Sequence, residues 1–276
     1  MCHESSGVAM NRAIDIGKGT VSLEDITDHA ELVLVGKNPG TNDPRVLSAL
    51  EKVKRRGGRI IAMNPLPEAG LVRFKNPQKA RGLVGRGTPI ADLHLAVAPG
   101  GDHALFALLN RALLEREDAT PGTVLDHPFI AEYTAGLDAA QRVWRGPNDD
   151  ATLAQAGLAG SDVDAVVEET LRAESVVVCW AMGITQHRNG VATIEEILNF
   201  LLLRGNIGKP GAGPCPVRGH SNVQGDRTMG TARERKALAR AIRAWASAAG
   251  VPCPATGGIP LALQTAYFEG RSEVSA

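Results

Sequence analysis

The chain has 276 residues, of which 43% are hydrophobic and only 4% aromatic, and its formal net charge is zero. This neutrality argues against nucleic acid or an anionic membrane surface as the main partner, and no apolar run approaches the roughly 20 residues that span a bilayer. There is no basic and apolar leader at the N-terminus, and the four cysteines form no C-x-x-C pair. We therefore expect a cytoplasmic protein with an aliphatic core and no zinc or iron–sulfur site held within this chain.

Met1 to Gly19 is predicted to be a ligand-presenting segment that leads into a weak helix. The residues of interest are Cys2 and His3. A cysteine thiolate is a soft ligand suited to a transition metal, and a neighbouring histidine can carry a proton near neutral pH. A cysteine beside the initiator methionine more often has no such role, so these two residues become a candidate site only in the context of other motifs.

A strand–helix–strand unit follows, with an apolar strand at 31–35, a helix from about Pro44 and a second strand at 59–63. Each strand ends in a turn rich in Gly, Asn and Pro. Ligands of open parallel sheets bind outside the carboxyl ends of the strands, although ordinary strand-to-helix turns would have the same composition. Neither turn contains G-x-G-x-x-G, which disfavours an NAD-dependent dehydrogenase.

The alternation of strands and helices continues along the chain. After a basic connector at 67–88 without periodicity, a third strand at 91–97 ends in a Pro-Gly-Gly-Asp turn, and Asp102 is a plausible N-cap for the next helix. Helices are predicted at 103–115, 128–141, 150–157 and 161–174, the last capped by Ser161, before a buried strand at 176–180. The order predicts an α/β fold: a three-layer, mostly parallel Rossmann-like sheet with helices on both faces. The four strand ends, near residues 36, 63, 97 and 181, should lie on one edge of this sheet.

The last strand leads into a polar turn, then a helix at 194–202, and then a long segment with seven glycines and three prolines between Gly205 and Gly230. We predict that this segment has no regular structure, because glycine and proline are unfavourable inside helices and strands. Its many hydrogen-bonding side chains fit a loop that wraps a large polar ligand. A merely flexible surface loop is the alternative. An amphipathic helix is predicted at 231–249.

Several long motifs in the chain point to one family. They are MCHESSGVAM at the start, VGKNPGTNDPRVLSAL after the first strand, and WAMGITQHRNGVATIEEILNFLLLRGNIGKPGAGPCPVRGHSNVQGDRTMG after the last. Over about residues 1–230 the chain closely resembles molybdopterin oxidoreductases of the formate-dehydrogenase alpha-subunit type. The resemblance implies molybdenum held by bis-molybdopterin guanine dinucleotide, with oxidation of a small anionic substrate such as formate to CO2. Any iron–sulfur cluster would lie outside this chain.

The resemblance also implies roles for individual residues. Cys2 would present its sulfur to molybdenum, His3 would handle the proton, and Arg218 would clamp the substrate carboxylate, so Cys2 and Arg218 should converge in space. His220 departs from the glutamine of some formate dehydrogenases, which leaves the substrate open, and His187 is expected to have no ligand role. The implied cofactor contacts are Gly36, Asn38, Pro39, Thr41, Asn64, Pro65, Gly101, Asp102, Met182, Gly183, Gln186, Gly219, His220, Asn222 and Gln224.

The resembled enzymes have a further N-terminal portion and a C-terminal barrel domain. We therefore interpret residues 1–230 as the central α/β domain of such an enzyme, either one unit or two interleaved subdomains, followed by a helical segment at 231–276 of uncertain assignment. Missing domains or another subunit are the expected partners, and the chain alone is expected not to turn over formate. The alternative from another functional class is a non-catalytic remnant or nucleotide-binding module without redox activity.

Overall fold

The computed structural model describes residues 2–146, 149–219 and 232–254, together with 263, 266 and 267. It divides into two compact units, Met1–Ser221 and Asn222–Ala276. The first unit is built on one five-stranded sheet in which every neighbouring pair of strands is parallel. The strands are β1 (Leu32–Gly36), β2 (Arg59–Met63), β3 (Leu93–Leu95), β4 (Val176–Trp180) and β5 (Gly213–Pro216), in the spatial order β3-β2-β1-β4-β5.

Helices connect these strands and cover both faces of the sheet, which confirms the predicted α/β class. In chain order the helices of the first unit are α1 (Glu4–Ile14), α2 (Pro39–Asn42), α3 (Pro44–Arg55), α4 (Ala69–Val72), α5 (Ala80–Val84), α6 (Asp102–Ala119), α7 (His127–Tyr133), α8 (Leu137–Trp144), α9 (Asp149–Ala156), α10 (Gly160–Arg172), α11 (Met182–Thr185) and α12 (Gly190–Leu203), with a π-helical turn at Asp25–His29 between α1 and β1.

Two hydrophobic cores lie on opposite faces of the sheet because successive strand residues point to opposite sides. In β1, Leu32 and Leu34 belong to the larger core, while Val33 and Val35 belong to the smaller one. The larger core includes buried residues of α1, α6 and α12, and α3 contributes to the smaller. All five residues of β4 are buried, as expected for a central strand covered on both faces.

Strand β5 was not predicted, because residues 205–230 were expected to lack regular structure. It contains Pro214 and Pro216 and nevertheless pairs with β4. Proline is tolerated there because β5 lies at the edge of the sheet and pairs on one side only. The prediction was therefore wrong for residues 213–216.

Two further sequence predictions need correction. The helix expected at 128–141 is split into α7 and α8, because Gly136 adopts a left-handed φ of 84° at the N-cap of α8. The cap of α10 is not Ser161 but Ala159, whose backbone N–H donates to the Asp162 carboxylate at 2.9 Å. Ser161 lies in the first turn of that helix.

The connector at 67–88 contains the short helices α4 and α5 and is tied to α3 through one buried carboxylate. Glu51 on α3 accepts hydrogen bonds from Lys79 (2.8 Å), Asn76 (3.0 Å) and Thr88 (3.1 Å) of the connector, and from Arg55 (3.1 Å) on its own helix. Burial alone would raise the pKa of Glu51, but the hydrogen bonds outweigh it and lower the pKa from 4.5 to about 2. The charged carboxylate therefore stabilises the attachment of the connector.

We expect Glu51→Gln to lower the free energy of unfolding by about 3 kcal/mol at pH 7, since a glutamine oxygen cannot serve the same donors as a carboxylate. A carboxyl group whose pKa is lower in the folded state stabilises the fold above its unfolded pKa, and this contribution is lost as the pH falls from about 4.5 to about 2. Urea unfolding of both proteins across this window measures the effect. A wild-type pH dependence no steeper than that of Glu51→Gln would contradict the assignment.

The second unit contains one long described helix, α13 (Ala232–Ala248). Ile242 and Ala246 are buried on one side of it, and the rings of Trp245 and Tyr267 meet edge to face with centroids 5.8 Å apart. No helix in the described parts of either unit has the length and apolar character needed to cross a membrane.

Candidate functional site

A cleft of about 470 Å³ opens at the carboxyl edge of the sheet. It lies over the ends of β1 and β4, the neighbouring strands from which the chain order runs outward in opposite directions, which is where open parallel sheets bind ligands. The predicted meeting of four strand ends on one edge is confirmed. The cleft wall consists of Gly36, Lys37, Asn38, Asn42, Asp43, Met63, Asn64, Pro65, Val97, Ala98, Pro99, Asp102, Ala181, Met182, Gly183, Ile184, His187, Val217 and Gly219.

Eight of the predicted cofactor contacts are on this wall: Gly36, Asn38, Asn64, Pro65, Asp102, Met182, Gly183 and Gly219. Four others, Pro39, Thr41, Gly101 and Gln186, lie within the described residues but not on the wall. His220, Asn222 and Gln224 lie outside the described residues.

The turn after β1 is shaped by Asn38. Its side-chain oxygen accepts a hydrogen bond from the Thr41 backbone N–H at 3.1 Å, and its amide donates to the Thr41 hydroxyl at 3.1 Å. Asn38 is therefore the N-cap of α2, with Pro39 at the first helical position. Thr41 and Pro39 stabilise this turn but do not line the cleft, whereas Asn38 does.

Lys37 is a wall residue that the sequence analysis did not single out. Its side chain is only 1% exposed and forms an ion pair with Asp43, which also lines the cleft. The alternation Val33, Val35, Lys37 places all three on the same face of β1 and its extension, and this pattern would have predicted the burial. Asp43 neutralises this buried ammonium, so the ion pair stabilises the wall rather than giving the cleft a net positive charge.

The turn after β3 contributes Asp102 to the cleft wall. Helix α6 begins at this residue, so Gly101, not Asp102, occupies the predicted N-cap position. Burial raises the pKa of Asp102, opposed by its own backbone N–H and by the charge of nearby His187. Gly101 instead packs against α9, where an added Cβ would lie 2.8 Å from the carbonyl oxygen of Gln155. His187, for which no ligand role was predicted, lines the cleft beside Asp102.

The N-terminal segment is held against the turn after β4. Cys2 is 7% exposed, and its carbonyl oxygen accepts hydrogen bonds from the Thr185 hydroxyl at 2.7 Å and the Gln186 amide at 3.3 Å. Gln186 therefore supports Cys2 rather than the cleft wall. Through these contacts, Cys2 is fixed next to α11, whose Met182 and Gly183 line the cleft.

His3 is buried and bonded at both ring nitrogens. Its Nδ1 lies 2.9 Å from the Ser6 hydroxyl, and its Nε2 lies 3.1 Å from the carbonyl oxygen of Val217. Burial, with the charges of Arg218 and Lys37, lowers the pKa of His3 to about 4 against the opposing effect of the Val217 hydrogen bond. In this environment the neutral form of the ring is therefore favoured at pH 7.

Arg218 lies close to the N-terminal segment. Its guanidinium donates to the Gly17 carbonyl oxygen at 3.0 Å, and its charge lowers the pKa of His3. Val217 contacts His3 across 214 positions of sequence and also lines the cleft. Cys2, His3 and Arg218 are themselves not wall residues, and His3 is linked to the cleft through Val217.

Comparison with known proteins identifies the family. The molybdopterin oxidoreductase family model matches residues 10–252. The chain belongs to the molybdopterin oxidoreductase family. An uncharacterized oxidoreductase of Mycobacterium tuberculosis is 54% identical over 231 residues, which are 83% of this chain and 30% of that protein. Protein YdeP of Escherichia coli is 42% identical over 235 residues, 83% of this chain and 31% of that protein.

A third relative has a described activity in its name. Formate dehydrogenase H of Escherichia coli is 29% identical over 229 residues, 83% of this chain and 29% of that protein. Acetylene hydratase from Pelobacter acetylenicus has a similar structure, with a TM-score of 0.57, 17% identity and coverage of 76% of this chain and 25% of that one. This similarity shows the fold alone. The chain spans about 30% of the length of the curated relatives it matches.

The cleft is suited to part of a molybdopterin cofactor. Its volume lies in the usual range of small-molecule sites, and Asn38 and Asn64 supply amide groups from two strand ends. Met182, 42% exposed, offers an apolar surface to a planar ring. At Gly183, an added Cβ would meet no protein atom within 4 Å, so the space beside this wall residue is open.

A second question is which side chains could bind molybdenum. In the described part of the chain, no group of three or more His, Cys, Asp or Glu side chains could hold a metal ion. Fewer than three described side chains could therefore hold a molybdenum ion together, and the Cys2 thiol is chemically suited to be a donor. The remaining ligands would be the cofactor's own sulfurs.

Proposed function

We propose that this chain is the part of a molybdopterin guanine dinucleotide-dependent oxidoreductase that binds one nucleotide arm of a bis-molybdopterin guanine dinucleotide cofactor in the cleft and oxidises a small anion such as formate to CO2. The observation that carries the proposal is the position of the Cys2–His3 segment. It is hydrogen-bonded to the turn after β4 and to Val217, both of which contribute to the cleft wall. A metal ligand at Cys2 would thus adjoin the nucleotide site.

The charges around Cys2 support an anionic substrate. Arg218 and Lys37 both act on His3 electrostatically, and His3 itself is neutral. A guanidinium binds a carboxylate through two parallel hydrogen bonds, so Arg218 is the substrate clamp in this proposal. The neutral His3 ring, with its Nε2 on Val217, orients the segment that carries Arg218. Bound molybdenum would supply the two-electron chemistry.

Formate is chosen from the relative named formate dehydrogenase H, which is 29% identical, while the more similar relatives are uncharacterized oxidoreductases or carry no activity in their names. Other domains or another subunit would supply the rest of the cofactor's binding surface, since the match covers about 30% of those relatives. The facing thiols of Cys179 and Cys215 are free, which favours a reducing compartment such as the cytoplasm.

The decisive test measures the cofactor and the reaction in the protein purified from its native cells together with the domains or subunits that accompany it, because the chain alone is expected not to turn over formate. We expect molybdenum together with guanine nucleotide released by acid, and formate-dependent reduction of a dye. Cofactor without formate oxidation would refute the substrate, and protein free of both molybdenum and guanine nucleotide would refute the oxidoreductase proposal.

Gly183→Ala is expected to reduce the bound guanine nucleotide at least tenfold while leaving the thermal unfolding temperature of the apoprotein within about 2 °C of wild type. The added methyl group meets no protein atom within 4 Å, so it would act only on a molecule in the cleft. Gly160→Ala is the matched control, because this glycine also has open space around it but does not line the cleft. Equal nucleotide content in Gly183→Ala and wild type would argue against nucleotide binding in this cleft.

A second candidate is a nucleotide-binding module without redox activity. It is favoured by the amide groups that Asn38 and Asn64 bring to the cleft wall from two strand ends. Calorimetric titration of metal-free protein with GMP and GDP examines it. Nucleotide binding with no molybdenum in the native protein would support the module, and molybdenum bound through Cys2, lost in Cys2→Ser, would support the oxidoreductase.

A further inference from the structure

A closed ring of hydrogen bonds joins four residues from the two ends of the first unit. The Trp180 indole N–H donates to the Ser6 hydroxyl at 3.0 Å, Ser6 lies 2.9 Å from His3 Nδ1, and His3 Nε2 lies 3.1 Å from the Val217 carbonyl oxygen. The Val217 backbone N–H then returns to the Trp180 carbonyl oxygen at 2.8 Å. Trp180 and Ser6 are fully buried, and His3 is 1% exposed.

The chemistry of these groups determines the direction of each bond. An indole nitrogen can only donate and a carbonyl oxygen can only accept, so the ring begins with Trp180 donating to Ser6 and ends with His3 Nε2–H donating to Val217. The Ser6 oxygen accepts from Trp180, and His3 Nδ1 is the other partner of this hydroxyl, so the Ser6 O–H donates to a lone pair on Nδ1.

We propose that Ser6 and Trp180 are positioning residues, which hold His3 in its Nε2–H tautomer and thereby fix the backbone next to Arg218 against the Cys2 segment. This inference rests on the proposed function for its catalytic meaning, while the ring itself depends only on residues of this chain. Val217 is held at both its N–H and its carbonyl oxygen, one residue before the proposed substrate clamp. Loss of the Ser6 hydroxyl would free the His3 ring to rotate and release one of these two anchors.

The tautomer can be observed directly by ¹⁵N NMR of histidine-labelled protein, in which the seven histidines are resolved and His3 is assigned by its absence in His3→Gln. Wild type should show His3 with a protonated Nε2 and a bare Nδ1. In Ser6→Ala, the ratio of this tautomer to the other should fall by on the order of tenfold, because one hydrogen bond to Nδ1 is lost. Trp180→Phe, which removes the indole N–H but keeps an aromatic ring, should cause a smaller fall.

Ser5→Ala is the matched control. Ser5 is on the same helix and donates to the Thr185 carbonyl oxygen at 2.9 Å, outside the ring of four residues, so the His3 tautomer should not change. A wild-type His3 with a protonated Nδ1 would overturn the inference, as would a tautomer ratio that is the same in Ser6→Ala as in wild type. A merely structural loss of packing would not shift the tautomer in favour of Nδ1–H.

The effect on catalysis is measured as the KM for formate of the holoenzyme purified from native cells. Ser6→Ala should raise the KM for formate roughly tenfold, because the backbone before Arg218 is less well fixed. If the tautomer responds as expected but formate is not a substrate, the positioning role stands and the proposed function fails. If formate is oxidised but the tautomer and the KM are unchanged in Ser6→Ala, the positioning role fails and the proposed function stands.

Discussion

Trp180→Ala is expected to lower the free energy of unfolding by about 4 kcal/mol, through a lost aromatic side chain and the cavity left behind. Trp180 is the last residue of the interior strand β4 and is completely buried in the larger core. Its indole also holds Ser6 on α1, so the substitution removes both packing and a link to the N-terminal helix. Urea unfolding followed by far-ultraviolet circular dichroism measures the change.

Trp180→Phe separates the two contributions, since phenylalanine fills much of the same volume but cannot donate to Ser6. We expect this variant to lose about 1 to 2 kcal/mol. Limited proteolysis should also cut within α1 faster in Trp180→Ala than in wild type, because the helix loses its contact with β4. A loss below 1 kcal/mol in Trp180→Ala would show that the residue is not part of a tightly packed core.

Asp43→Asn should destabilise the protein by about 4 kcal/mol, because it leaves the Lys37 ammonium buried without its carboxylate. The Lys37 side chain is 1% exposed, whereas that of Asp43 is 28% exposed. The two residues are therefore not equivalent. Without the Asp43 carboxylate, the Lys37 ammonium is buried, unpaired and out of reach of water. Without the Lys37 ammonium, the Asp43 carboxylate can still be partly solvated.

The difference in exposure between Lys37 and Asp43 means that Lys37→Met can serve as the control. Lys37→Met should cost clearly less than Asp43→Asn, and the double variant Lys37→Met/Asp43→Asn should recover most of the stability lost in Asp43→Asn. Thermal and urea unfolding of the four proteins complete the cycle. If Asp43→Asn proves no more harmful than Lys37→Met, the ion pair is solvated and Lys37 does not act as a buried charge on the cleft wall.

The parts of the fold that the sequence predicted are those that depend on local pattern. β2 and β4 were predicted with the bounds that the structure has, because short β-branched runs end at clear turns. β5 was missed because its prolines are permitted only by its place at a sheet edge, and that place depends on the whole topology. The break at Gly136 depends on one left-handed residue within an otherwise helical pattern.

In the candidate site too, the residues placed by local pattern were predictable and those placed by long-range contacts were not. Asn38, Asn64 and Met182 follow strands, so their position at one edge was predictable from the parallel arrangement. The contact of His3 with Val217 joins residues 214 positions apart and is invisible to any local pattern. Gln186 was assigned to the cofactor from the resemblance, yet it donates to Cys2, because the path of the N-terminal segment could not be read from its composition.

The prolines of β5 have a consequence for how the sheet can grow. The Val217 N–H points to Trp180 in β4, and neighbouring strand residues alternate, so the nitrogens of Pro214 and Pro216 face away from the sheet. Neither nitrogen carries a hydrogen, and the outward carbonyl of Pro214 already accepts the N–H of Thr20 at 3.2 Å. This border offers an incoming strand no donor at two successive outward positions, so it resists edge-to-edge aggregation during folding. A partner that docks on this side must do so through side chains rather than by extending the sheet.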